Sequence, residues 1–229
     1  MNQMLKDICF DPELSPGARN AVQVCLKIKP SEKVTLITDN VSKEIAASIV
    51  NELESLGCRY RIWVLEELAT RPLQSIPPEI LEDLETSQVS VFAVHAQPNE
   101  LRSRMQMTEM VTRRKIRHAH MVNINAQIMR EGMRADFVKV DKISTRVWEI
   151  VSSAQTIRAK TPAGTNLSAE LMKGTAGSRP VASSAPINGA TCQEARCLQP
   201  RSKWMGPLSS MEWLEIICVT SLVICNMSL

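Results

Sequence analysis

Four short runs rich in β-branched and aromatic residues constrain this chain most: "KVTLITD" from Lys33, "CRYRIWVL" from Cys58, "VSVFAVH" from Val89 and "RHAHMV" from Arg117. Each is too short for a helix and reads as a buried strand. Between them lie segments of helical period. Asn40 is placed to cap the first, whose Ile45, Ile49, Leu53 and Leu56 form one apolar stripe closed by Gly57. "PPEILEDLETS" starts on proline, and a longer helix is expected from Asn99 through Arg114. Strand, helix and strand with short joints make the right-handed βαβ unit. Its repetition predicts an α/β domain, a mostly parallel sheet with helices on both faces.

Flanking elements extend this pattern. Ser15 and Pro16 start a helix whose Ala18, Ala21, Val22, Cys25 and Leu26 share a face, with Pro30 as its stop. Another helix is expected from about Asp136 to Ser153, with Ile143, Val147, Ile150 and Val151 at helical spacing. "TIRAKTPAGTNLSAEL" then reads as two strands around a Pro-Ala-Gly turn, a β-hairpin that would begin a second domain. The expected division is 1–155 for the α/β domain, 156–171 for the start of a C-terminal domain and 172–229 for a disordered tail.

The tail differs in kind. Asp is absent from Leu171 onward, and Ser, Cys and Pro recur there with neither period 2 nor period 3.6. Composition alone reads it as a disordered extension. Its apolar run from Trp213 to Cys225 is broken by Glu215 and is shorter than the roughly 20 residues that cross a bilayer, so no membrane anchor is expected. The start of the chain has charges at Lys6, Asp7 and Glu13 and no apolar run of leader length, which makes the cytoplasm the expected compartment. A formal charge of +3 from 27 basic and 24 acidic residues calls for neither nucleic acid nor an anionic membrane.

Candidate chemistry is sparse. His118 and His120 sit two apart on a strand, so both rings face one way and could share a metal, although a hydrogen-bonded structural pair is the commoner arrangement. Arg113, Arg114, Lys115 and Arg117 could meet phosphate, but no aromatics interleave and cations suit a helix C-terminus. "TPAGTN" has too few glycines to cradle phosphate. Cys192, Cys197, Cys218 and Cys225 lack the spacing and the histidine partner of a zinc site, and His95 has no partner for a triad. No catalytic, cofactor-binding or metal residue is nominated.

The stretches "ARNAVQVCLKIKPSEKVTLITDN", "RHAHM", "REGMRADFVKVDKIS" and "TPAGTNLSAE" resemble the N-terminal portion of the thermophilic-type metalloaminopeptidases, the aminopeptidase T and aminopeptidase S, leucyl aminopeptidase-like family. The likeness covers roughly residues 15 to 171, with "EGMRADF" followed by "TPAGT" its most specific part. The resemblance implies a cytoplasmic homodimer that hydrolyses N-terminal amino acids from peptide substrates using two divalent ions, zinc or cobalt. It implies that the ligands lie in the C-terminal half, the first in a segment of "NLPGGEVFTAP" type.

That segment is missing as written but emerges in another frame. When each new codon takes the last base of one codon and the first two of the next, permitted codons from Asn188 through Pro200 spell "WGNLPGGEVFTAP". Further family-like runs follow up to Ser221, with a departure at Arg201 and Ser202. The expectation is a frameshift between Leu171 and Asn188, with the family's first metal-ligating Glu encoded across Ala195 and Arg196 and the other ligands beyond Leu229. The chain would then be a truncated, inactive member of the family. Two alternatives remain: a standalone α/β module for binding or dimerisation, and a piece of a related metal-dependent, dioxygenase-like enzyme.

Overall fold

In a computed structural model, residues 8–151, 153–162, 164 and 166–170 are described. The tail over 172–229, with its expected disorder, its shifted frame and its apolar run, lies outside them.

The chain opens with a 3-10 turn at Pro12–Leu14, a short helix α1 at Ser15–Arg19 and a wider π turn at Asn20–Cys25. These replace the single helix expected up to Pro30, because Lys27 adopts a left-handed φ of 48° and turns the backbone before the proline is reached. Then come β1 (Lys33–Thr38), α2 (Lys43–Ser55), β2 (Arg59–Val64), α3 (Leu65–Leu68), α4 (Pro78–Glu85), β3 (Val89–Val94), α5 (Leu101–Arg114), β4 (Arg117–Val122), α6 (Ala126–Arg130) and α7 (Phe137–Val151). The antiparallel strands β5 (Thr156–Lys160) and β6 (Asn166–Glu170) complete the described chain.

Strands β1 to β4 form one parallel sheet in the order β2-β1-β3-β4, and helices flank it. Period-2 alternation sorts their side chains onto two faces. Val34, Leu36, Val91, Ala119 and Met121 pack with α2 and the N-terminal turns, together with Met129, Met133 and Phe137. Ile37, Trp63, Phe92, Val94 and Val122 pack with Ile80 and Leu84 of α4 and Met107 and Val111 of α5. The expected mostly parallel sheet with helices on both faces is therefore present. At the outer edge, Arg59 and Arg61 are exposed on β2, which discourages pairing with another strand.

One local expectation changes and another holds. Asn40 does not cap α2: Asp39 Oδ1 instead accepts the Ser42 N–H at 2.8 Å, and the Asn40 N–H donates to Glu66 Oε2 at 3.0 Å. The expected hairpin turn does form, with the Gly164 N–H donating to the Thr161 carbonyl at 3.1 Å and Gly164 at a φ of 102°. That conformation favours a residue without Cβ.

Candidate functional site

Because β1 lies between β2 and β3, the chain leaves β1 toward one side of the sheet and later returns on the other. The crevice beyond the C-terminal ends of β1 and β3 is thus the topological switch point, where open α/β sheets usually take their ligands. Asp39 directly follows β1 and His95 directly follows β3. The loop after α3 brings in Arg71, and the start of α5 brings in Glu100.

Arg71 fills this crevice and is 3% exposed. Its Nε donates to Glu100 Oε1 at 2.7 Å, and its Nη1 reaches Asp39 Oδ2 at 2.8 Å and Glu66 Oε1 at 3.2 Å. Nη2 donates to the His95 carbonyl at 2.7 Å and to Glu100 Oε2. All the guanidinium donors are thereby matched. The acids are saturated as well: Asp39 Oδ2 also accepts the His95 N–H at 2.6 Å, and Glu100 accepts the N–H groups of Leu73 at 2.9 Å and Gln97 at 3.2 Å. Burial would raise the Glu100 pKa, but the hydrogen bonds from Arg71 and Leu73 outweigh it and hold that carboxyl below its ordinary range. The same carboxylates push the Arg71 pKa up against its burial. Three acids on one cation form a closed knot that ties three loops and the short helix α3 together, and it occupies the place a ligand would take.

The histidine pair lies on the α5 face of the sheet, set by register. Ser90 pairs with His118 and Phe92 with His120 across β3 and β4. His118 Nδ1 lies 2.8 Å from Ser90 Oγ, and its Nε2 lies 3.2 Å from His120 Nδ1. The His120 ring stacks on Phe92 with centroids 5.4 Å apart. Burial and the neighbouring ring push His118 well below the ordinary histidine value, and burial with the nearby Arg104 charge lowers His120 to about 4. Both rings are neutral near pH 7, as metal ligands must be. Among the described residues, however, no group of three or more His, Cys, Asp or Glu side chains is placed to hold a metal. The ligands that the sequence resemblance implies fall in the C-terminal half, outside the described residues.

The basic run is dispersed. Arg113 and Arg114 pair with Glu85 at 2.7 and 3.2 Å, and Arg117 pairs with Glu32 at 2.5 Å. Lys115 caps α5 in the left-handed conformation. At the opposite end of the sheet, an open cleft of about 300 Å³ holds Lys33, Arg61, Trp63 and Asp83. The fully buried Asp83 accepts from Thr35 Oγ1 at 2.7 Å and Trp63 Nε1 at 3.1 Å and pairs with Lys33 at 2.6 Å. Its charge is thus spent in fastening α4 to β1 and β2.

Sequence reasoning missed the Arg71 knot, whose members come from separate loops. One signal was available: a charged residue placed directly after a buried parallel strand, as Asp39 is, stands at the usual ligand end of the sheet.

No protein-family model matches the chain, and no curated protein matches it. Among solved structures it is similar to wild-type AmpT from Thermus thermophilus, with a TM-score of 0.47, 12% identity and coverage of 71% of this chain and 54% of that one. The match thus spans about half the length of that relative. Neither family nor activity follows from a likeness of this size. No helix among the described residues is long and apolar enough to cross a membrane.

Proposed function

We propose that this chain carries the N-terminal, non-catalytic domain of a metal-dependent aminopeptidase, joined to a tail read out of frame. One observation carries the reading: the antiparallel pair β5–β6, built on "TIRAKTPAGTNLSAE", follows a finished parallel domain at the point where the sequence resemblance puts the start of the catalytic half. A two-stranded ribbon is marginal in water, so these strands read as the first of a larger sheet. The closed Arg71 knot supports a scaffolding role, because it leaves the switch point without free donors on Arg71.

In this reading the chain as written is inactive in peptide hydrolysis, because the segment that would carry the family's first metal-ligating Glu is spelled only in the shifted frame. The test is a pair of proteins: this chain, and one whose frame is restored between the codons of Leu171 and Asn188. Release of N-terminal residues from peptides, dependent on added zinc or cobalt, is expected only from the restored protein. A restored protein that stays inactive and takes up no divalent ion would overturn the reading. Dependence on a single iron would instead favour the dioxygenase-like alternative.

A further inference from the structure

On α7, the side that meets the parallel domain carries Phe137 and Ser144, both buried. Next to it runs a second apolar strip. Ile143 is 51% exposed, Val147 38% and Ile150 64%. With half-buried Val140, these residues repeat at intervals of three and four, the spacing with which one helix seats its side chains between those of a partner element. Lys139 and Arg146, both exposed, line the outer edge of this strip. Single exposed apolar residues need no explanation, but an ordered strip with a charged rim marks a contact surface.

We infer that this strip is the seat of the second domain, the one that β5–β6 begin, in the intact protein; the inference rests on the function proposed above. Continuity argues for that occupant. The strip lies on the helix directly before the hairpin, with only the joint 152–155 between them, and the chain leaves the described structure at Glu170, the end of β6. Further strands added to the hairpin are tethered beside α7 and would bury Ile143, Val147 and Ile150. A second copy fits less well, since pairing α7 with its twin in antiparallel fashion would set Arg146 against Arg146.

The test is side-chain footprinting by a photogenerated carbene on this chain and on the frame-restored protein, with Val138 as internal reference. Val138 is 55% exposed and lies on the opposite side of α7 by helical geometry. In this chain Ile143, Val147 and Ile150 should label as readily as Val138. In the restored protein they should lose labelling several-fold, independent of protein concentration, while Val138 keeps it. Unchanged labelling in a restored protein that binds metal would overturn the inference and leave the function standing. Protection that disappears on dilution would assign the strip to a second copy and overturn it too. A restored protein without metal binding and without protection would sink both.

Discussion

Phe137 and Ile143 share one helix, yet Phe137 is 1% exposed and Ile143 is 51% exposed. The same contrast separates the residues before α7 from those after it. In the first region every strand has a helix over its face, and the charges buried at the switch point are saturated. From α7 on, an apolar strip and a two-stranded ribbon obey the local rules of helix and hairpin, and among the described residues neither core cluster extends to them. Local propensity therefore reaches further along this chain than tertiary closure does, which is what a domain boundary followed by a lost partner would leave.

The largest expected effect would break the closed region at its knot. Arg71→Ala leaves Asp39, Glu66 and Glu100 without their cation, and a broken buried ion pair costs about 3–5 kcal/mol. Urea unfolding of the full chain should show the loss, and Arg71→Lys should recover little, because an ammonium cannot span the same fork. Phe137→Ala should cost a similar amount, about 3–5 kcal/mol, since that ring is the last in the core cluster.

Acid sharpens the comparison next. The His120 pKa lies near 4 in the fold, against roughly 6.5 for the unfolded side chain. A lowered histidine contributes stability that is present above pH 6.5 and is lost as the pH falls toward 4, because the unfolded chain takes up the proton first. The loss from His120 alone is on the order of 3 kcal/mol, and buried His118 shifts the same way. Replacing both histidines by glutamine should flatten the urea midpoint across that window.

Gly17→Ala tests the seam between α1 and α6. A Cβ there would meet the Met129 carbonyl oxygen at 2.4 Å, and because backbone must give way, the expected cost is about 1–3 kcal/mol. The smallest effect belongs to the open region. Ile143→Ser or Ile150→Ser should change the stability of this chain by no more than about 0.5 kcal/mol, as exposed substitutions do, while reducing its aggregation. A loss as large as that of Phe137→Ala would mean that the strip is covered in this chain, and the contrast would fail.

The parallel sheet was legible because "KVTLIT" or "VSVFAV" carries its period and its burial in a few adjacent residues. The hairpin was legible through its turn. Arg71, by contrast, meets Asp39 and Glu100 only once the strand order β2-β1-β3-β4 exists, and no local pattern encodes that order. The histidine pair was half legible: spacing places both rings on one face, but their partners Ser90 and Phe92 follow from register. For α7, periodicity showed which residues form the strip and not whether anything covers it.

The most direct test of the central claim, that the coherent chain gives way to a shifted frame after β6, is the gene sequence from the codon of Thr161 to well past that of Leu229. One base lost between the codons of Leu171 and Asn188 is expected, since a single gained base would open the other frame, followed by a long open frame with a Glu across the present Ala195 and Arg196 codons. The absence of any family-like frame downstream would contradict it and leave a standalone α/β module in its place.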